Sequence, residues 1–274
     1  AKGASKRPLA MVIGYDGRQY RGLQQASGAF ARTVESELEL ALFKAGAIHI
    51  SNFGNLRKVR WTRAGRTDAG VSAAMTVVSA KLVCAAGEAA VSELVTKVNE
   101  LLPEGICVHG MCPVAKRFDA RWACSQRAYQ YLLPGFCLEP VLEKVFSTCE
   151  ERALTYRQLR TEGAKQVYDA AGLAEIRVRA EQLKKFNEYL QRFQGYHYVG
   201  NLCNAKVEPH EHRAYRFVRE IECGAPFQDD CGREWVPINV VGDSFLTHQI
   251  RKTLAVAVLA VQLAPTLLRG EGCA

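Results

Sequence analysis

Apolar and polar positions near the start of the chain predict a strand and then a helix. Residues 9–15 form an apolar run that ends at the turn residues Asp16 and Gly17, which is typical of a β-strand. Thr33 is a residue type that caps helices, and apolar side chains recur three and four residues apart from Val34 to Ala45. We therefore predict an α-helix that begins after Thr33.

The same reasoning predicts elements along the rest of the chain. We predict strands at residues 59–62, 75–83, 106–111, 129–133, 215–222 and 235–241, and helices at residues 88–102, 182–193 and 247–263. Because strand–helix–strand units occur twice, we predict an α+β architecture with two similar halves, residues 1–113 and 114–274. Between residues 139 and 192, ten basic and nine acidic side chains alternate, which predicts a helical insert with solvated faces.

The composition narrows the class of protein. The chain has 274 residues, of which 48% are hydrophobic and 23% charged, so it can bury a core and is neither a disordered tail nor a coiled coil. No apolar run reaches the roughly 18 residues of a membrane span, so we expect no membrane association. The ten cysteines lack the paired spacing of a zinc site. We therefore expect a reducing compartment and no metal. Because no glycine-rich phosphate loop of the Walker or dinucleotide type occurs, we also expect no organic cofactor.

Positive charge is concentrated in two segments. Lys and Arg number 36 against 28 Asp and Glu, and residues 57–66 contain five basic residues and no acid. Residues 116–127 contain four basic residues against Asp119 alone. One such cluster would indicate a solvated face, but two clusters beside uncommon local sequences favour a nucleic-acid partner. Trp61 and Trp122, one beside each cluster, are predicted to be core anchors rather than stacking platforms.

One carboxylate lies in a loop pattern that is suited to chemistry. Asp68 is between Gly65 and Gly70, and Arg66 is two residues away. Glycines permit a bent backbone close to a substrate, and a neighbouring guanidinium favours the ionised form of a carboxyl. An ionised aspartate shielded from water can act as a nucleophile, but the same residue types also form structural Asx turns. The pattern by itself leaves both interpretations open.

Five segments resemble, in order, motifs of the TruA-type tRNA pseudouridine synthases. They are residues 15–24 (beginning Tyr-Asp-Gly), 66–71 (Arg-Thr-Asp-Ala-Gly-Val), 99–103, 118–131 and 244–251. The matches extend from Leu9 to about Ala264, so the resemblance covers nearly the whole chain. Residues 71–73 and 248–252 are more similar to the eukaryotic branch of the family than to the bacterial one.

The resemblance implies roles for individual residues. Asp68 resembles the catalytic aspartate, which attacks the uridine so that the base can detach, rotate and rejoin through carbon 5. Arg66 resembles the arginine that helps displace the target nucleotide, Tyr129 the aromatic residue that packs on the flipped base, and Arg251 the basic residue that pairs with the catalytic carboxylate. Basic residues near these motifs are predicted to bind RNA: Lys58, Arg60, Arg63, Arg121, Arg127 and Lys252.

The resemblance also implies a fold, a reaction and a partner. Two ferredoxin-like (RRM-like) halves would form one extended mixed β-sheet flanked by helices, with a central basic cleft. The expected reaction is isomerisation of uridine to pseudouridine in structured RNA, with tRNA favoured over rRNA. The alternative is an RNA-binding ribosome-assembly factor that keeps the synthase fold and acts mainly as a scaffold. We expect a mitochondrial or nuclear protein of a eukaryote, either a monomer or a homodimer.

Overall fold

The structure consists of two compact units. A computed structural model describes residues 4–25, 32–138, 177–203 and 211–268. The units are residues 1–125 and 126–274, and each combines antiparallel strands with helices. The α+β class that the sequence predicts is therefore confirmed.

The first unit contains a four-stranded sheet. Its strands are β1 (Ser5–Tyr15), β2 (Thr62–Arg63), β3 (Ala73–Cys84) and β4 (Ile106–Pro113), and their spatial order is β2-β3-β1-β4. β1 is a central strand that pairs antiparallel with β3, and Tyr15 at its end lies opposite Ala73 at the start of β3. The segments that follow β1 and precede β3 therefore leave the sheet side by side.

Three α-helices lie in the described residues of the first unit: α1 (Val34–Lys44), α2 (Glu88–Leu101) and the four-residue α3 (Ala120–Ala123). The predicted cap of α1 is confirmed, because the Thr33 hydroxyl accepts a hydrogen bond from the Ser36 N–H (3.2 Å) and the Ser36 hydroxyl accepts one from the Thr33 N–H (3.0 Å). Apolar side chains of α1, α2 and the sheet form one buried cluster, which includes Leu38, Leu42 and Leu82. The loops of this unit pack against this cluster.

Glu35 places a buried negative charge on α1. Its side chain is fully buried and forms an ion pair with Arg63. The carboxylate also accepts hydrogen bonds from Trp61 Nε1 (2.7 Å) and from the Gln25 N–H (2.9 Å). Burying an unpaired charge is costly, and the ion pair and these hydrogen bonds offset that cost for the Glu35 carboxylate. They attach α1 to the chain on both sides of it in sequence.

The described residues of the second unit form a five-stranded sheet and two α-helices that pack on it. Its strands are β5 (Arg127–Pro134), β6 (Gly195–Tyr198), β7 (Tyr215–Cys223), β8 (Phe227–Gln228) and β9 (Glu234–Gly242), in the order β5-β9-β7-β6 with β8 paired to β9. The helices are α4 (Ala180–Gln191) and α5 (Gln249–Leu268). Phe186 of α4, Leu254 of α5 and Ile238 of β9 belong to its buried cluster.

The strand predicted at residues 59–62 is largely wrong. Residues Leu56–Val59 form a 3₁₀-helix instead, and only Thr62–Arg63 is a strand. The Asn55 side chain caps the 3₁₀-helix by accepting from the Arg57 N–H (3.1 Å), and Arg60 ends it in the left-handed conformation with φ of 54°. The cap and the left-handed end therefore determine the local structure more strongly than the short apolar pattern does.

The pairing of the strands differs from the mixed sheet that was expected. Every described strand pair is antiparallel. The reason in the first unit is that both neighbours of β1 run opposite to it, so β1 has no parallel partner.

The two tryptophans near the basic clusters behave differently. Trp61 is 8% exposed, so its prediction as a core anchor is confirmed. The same prediction is wrong for Trp122, which is 80% exposed. The reason is that α3 has only four residues and buries Ala120 alone.

The predicted insert at residues 139–192 can be described only in its last part. Residues 139–176 lie outside the described residues, whereas α4 confirms the helix that was predicted at residues 182–193. α4 begins at Ala180 and ends at Gln191.

We predict that removing the Glu35 carboxylate destabilises the first unit. Glu35→Ala leaves the Arg63 guanidinium, whose side chain is 23% exposed, without its partner, so the free energy of unfolding should fall by about 3–5 kcal/mol. Glu37→Ala is the matched control on the same helix, because Glu37 pairs with the exposed Arg32 and its loss should cost about 1 kcal/mol or less. Urea unfolding measures both, and equal losses would contradict a structural role for Glu35.

Candidate functional site

The predicted catalytic aspartate lies in the connection between β2 and β3. We call residues 65–70, which include Asp68, the aspartate loop, and residues 15–24, which follow the end of β1, the motif loop. Because Tyr15 lies opposite Ala73, the two loops leave the sheet next to each other. Both loops belong to segments that resemble family motifs.

Three hydrogen bonds join the two loops. The Thr67 hydroxyl is 2.9 Å from the Tyr15 hydroxyl, and the Thr67 carbonyl accepts from the Leu23 N–H (3.4 Å). The Gly70 N–H donates to the Tyr20 carbonyl (3.1 Å). The backbone is therefore fixed on both sides of Asp68, at the residue before it and two residues after it.

Two buried glycines of the motif loop allow this close approach. A Cβ atom at Gly17 would lie 1.9 Å from the Val71 carbonyl oxygen, and one at Gly22 would lie 2.5 Å from the Thr67 carbonyl oxygen. Gly22 also has φ of 90°, which side chains other than hydrogen rarely permit. The spacing of these glycines thus follows from contact with the aspartate loop.

Asp16 and Ser72 form a second connection at the base of the loops. The Ser72 hydroxyl accepts from the Gly17 N–H (3.0 Å) and donates to the Asp16 carboxylate (3.3 Å). Hydrogen bonds from Arg18 lower the pKa of Asp16 to about 2, so this carboxylate is ionised at neutral pH. An acceptor is therefore always available for the Ser72 hydroxyl there.

The aspartate loop presents its two predicted catalytic side chains differently. Asp68 is half-buried, whereas Arg66 is exposed. A turn follows Asp68, because the Val71 N–H donates to the Asp68 carbonyl (3.2 Å). A partly covered carboxylate on a fixed backbone suits nucleophilic attack on a substrate that reaches the loop.

In the second unit, two motifs that resemble the family lie in contact. The Tyr129 ring on β5 meets the Phe245 ring edge-to-face, with centroids 5.4 Å apart and an interplanar angle of 90°. Arg127, which shares the Tyr129 face of the strand, donates to the Asp243 carbonyl. The Asp243 carboxylate in turn pairs with Arg219 at 2.6 Å. Tyr129 is thus supported by the segment that leads into α5.

The start of α5 is held in an uncommon backbone conformation. His248 has φ of 63°, a left-handed conformation that non-glycine residues rarely adopt. The next side chain, Gln249, is 2% exposed and accepts from the Leu246 N–H (2.9 Å). Arg251, the fourth predicted catalytic residue, is exposed on the first turn of the helix. The conformation of this turn therefore determines the position from which the Arg251 side chain extends.

Four of the cations predicted to bind RNA also bond to the protein, and Arg127, which donates to the Asp243 carbonyl, is one of them. Arg63 pairs with the buried carboxylate on α1. Lys58 Nζ donates to the Ser51 carbonyl (2.7 Å), and Lys252 Nζ donates to the Cys203 carbonyl (2.6 Å). A cation that is shared with its own chain has fewer donors for a phosphate, and the RNA contacts of these residues stay predictions.

Two further cations lie near a predicted one: Lys116, which belongs to the second basic segment of the sequence, and Lys81, which the sequence did not single out. Lys81 and Lys116 line a surface groove of the first unit together with Arg60. Lys81 is alone in sequence, so no charge cluster identifies it. The strand register could have identified it, because Lys81 lies opposite Pro8, whose carbonyl accepts from the Val114 N–H (3.1 Å) just before Lys116.

No group of three or more His, Cys, Asp or Glu side chains in residues 4–25, 32–138, 177–203 and 211–268 could hold a metal ion. In the same residues, no helix has both the length and the apolar character that a membrane crossing requires.

Comparison with known proteins gives a consistent result. A family profile described as tRNA pseudouridine synthase matches residues 190–267. The tRNA pseudouridine synthase 1 of Yarrowia lipolytica is 30% identical over 94% of this chain and 57% of its own length. The pseudouridylate synthase 1 homolog of Mus musculus is 32% identical over 94% of this chain and 53% of its own. The tRNA pseudouridine synthase 1 of Saccharomyces cerevisiae is 32% identical over 93% of this chain and 55% of its own length.

The chain therefore contains a TruA-type pseudouridine synthase domain, as the motifs of both units predicted. It spans about half the length of the curated relatives it matches. Within the family it belongs to the eukaryotic branch, with the yeast tRNA pseudouridine synthases 1 and the mammalian pseudouridylate synthase 1 homologs.

We predict that a methyl group at Gly17 disturbs the aspartate loop. Gly17→Ala forces the Val71 carbonyl to move, so it should lower the free energy of unfolding by about 1–3 kcal/mol and speed amide hydrogen exchange in residues 65–71. Gly110→Ala is the control, because a Cβ there has no neighbour within 4 Å. If exchange in the loop is the same in both variants, the contact between the loops does not fix it.

Proposed function

We propose that this chain isomerises uridine to pseudouridine in tRNA. The observation that supports this most is the attachment of the aspartate loop: the family's sequence motif around Asp68 is held by hydrogen bonds from the family's N-terminal motif. The relatives named as tRNA pseudouridine synthases favour tRNA over rRNA and favour an enzyme over a scaffold.

The reaction is a rearrangement within one nucleotide. The bond from N1 of the base to C1′ of the ribose breaks, and a bond from C5 to C1′ forms. The proton on C5 is lost and N1 gains one, so substrate and product have the same atoms and no electrons are exchanged with a second reactant. The protein must supply a nucleophile, hold the detached base and exclude water while the base rotates.

The proposed roles divide this chemistry among four residues. Asp68 is the nucleophile, Arg66 helps to displace the target nucleotide and Tyr129 packs on the flipped base. Arg251 is the proposed basic partner of the carboxylate. The rigid support of Tyr129 by Phe245 suits its role, because a stacking ring that is already fixed loses little conformational entropy when it binds a base.

We also propose that the first unit is a ferredoxin-like half. Its succession of elements is β-α-β-β-α-β from β1 to β4, and its strand order is β2-β3-β1-β4. Both are the features of the ferredoxin-like topology. In that topology the connection between the second and third strands is the aspartate loop of this chain.

We predict that Asp68→Asn abolishes pseudouridine formation and leaves RNA affinity nearly unchanged. The amide has almost the same shape as the carboxylate but is not a nucleophile, so turnover should fall by at least about a thousandfold. Nucleoside analysis of tRNA after incubation measures the product, and filter binding measures affinity. Asp230→Asn, at an exposed turn in the second unit, is the control and should keep full activity. Normal turnover by Asp68→Asn would refute the proposed nucleophile.

We predict that Arg66→Ala and Tyr129→Ala slow single-turnover isomerisation by about 10- to 1000-fold, more than they weaken binding. Both side chains are proposed to act when the nucleotide leaves its stack rather than in the first encounter. Tyr129→Phe keeps the ring and its contact with Phe245 and should retain most of the rate. Unchanged single-turnover rates in both alanine variants would remove these residues from the site.

A further inference from the structure

The most exposed tryptophan of the described residues lies on the basic segment of the first unit. Trp122 is 80% exposed, whereas Trp61 is 8% exposed and Trp235 is partly buried and bonded to Asp229 (3.0 Å). A large apolar ring in water is unfavourable by itself, so its position calls for an explanation.

Trp122 is held in place by its helix rather than by contacts of its own ring with the core. The Asp119 carboxylate caps α3 by accepting from the N–H groups of Arg121 (2.8 Å) and Trp122 (3.4 Å). Ala120 is 2% exposed, and its N–H donates to the Thr62 hydroxyl (2.9 Å). That hydroxyl is 2.7 Å from the Ser79 hydroxyl, so α3 is attached to β2 and β3. The indole is therefore presented to solvent by a fixed backbone.

The surroundings of the indole are positively charged. The Arg121 guanidinium lies over the Trp122 ring, 5.3 Å from its centroid. Lys116 and Arg117 precede α3, and the Asp119 carboxylate is occupied by the cap. An exposed aromatic ring that contacts one guanidinium and belongs to a basic segment is the combination that binds single-stranded nucleic acid, because the ring stacks on a base while cations contact phosphates.

We propose that Trp122 is a stacking platform for an unpaired base of the bound RNA, outside the predicted catalytic set. The inference rests on the proposed function, which makes RNA the substrate. Arg121 orders one face of the indole, and the exposed part of the ring receives the base. Since every base has a stacking face, this contact adds affinity for unpaired nucleotides without selecting a particular sequence.

Binding of wild-type protein and variants to one unmodified tRNA transcript tests the proposal. Trp122→Ala should weaken binding about 5- to 100-fold, while Trp122→Phe, which keeps a ring, should lose less than about threefold. The dependence of log Kd on log salt should keep its slope in Trp122→Ala, because no phosphate contact is lost. Ile50→Ala, which shortens another exposed apolar side chain (64% exposed), is the control and should bind normally.

Tryptophan fluorescence identifies the contact directly. An oligouridine should quench the emission of the wild-type protein more than that of Trp122→Phe. An abasic oligonucleotide of the same length should give no such difference, because it supplies phosphates without bases. This comparison leaves Trp61 and its bond to Glu35 intact, so folding of the first unit is not put at risk.

The outcomes separate this proposal from the proposed function. If the wild type binds tRNA and forms pseudouridine but Trp122→Ala binds equally well, the stacking role is wrong and the function stands. A shallower salt slope in Trp122→Ala, or equal quenching of wild type and Trp122→Phe, would also overturn it, since the indole would then act only through Arg121. If the wild type binds no RNA, both proposals fail.

Discussion

The contact between the motif loop and the aspartate loop is the constraint on which the rest of the site depends. Thr67 and Gly70 are bonded to residues that follow β1, and Gly17 and Gly22 have no room for a side chain because the other backbone lies against them. The β1–β3 register places the two loops side by side at the same end of these two neighbouring strands. A carboxylate between fixed neighbours loses little conformational entropy when a substrate arrives, which is what preorganised chemistry requires.

Charge in the first unit has two separate uses. The buried Glu35 carboxylate forms an ion pair with Arg63. This pair attaches α1 to β2, the strand that leads into the aspartate loop. Arg60, Lys81 and Lys116, in contrast, line a surface groove. A net charge of +8 therefore does not measure the positive charge that is available to an anionic partner, because part of the positive charge is paired within the fold.

The sequence predicted the long elements well because their apolar patterns agree with their caps. Thr33 and the apolar spacing after it define α1, and the run before Asp16 defines β1. The prediction failed where local hydrogen bonds determine the structure. The Asn55 cap and the left-handed Arg60 bound a 3₁₀-helix in a segment whose apolar pattern is typical of a strand. The prediction also failed for Trp122, since burial depends on how short α3 is. Motif resemblance located Asp68, but the Tyr15–Thr67 bond joins residues 52 apart, and no local pattern contains it.

We propose that this chain exchanges the N1–C1′ bond of a uridine for a C5–C1′ bond. The most direct measurement incubates the purified protein with tRNA that carries tritium on C5 of its uridines and follows tritium release and RNA mass together. The account predicts one tritium released for each pseudouridine formed, while the mass of unlabelled tRNA treated in parallel stays constant. Tight binding of tRNA without any release of tritium would contradict it.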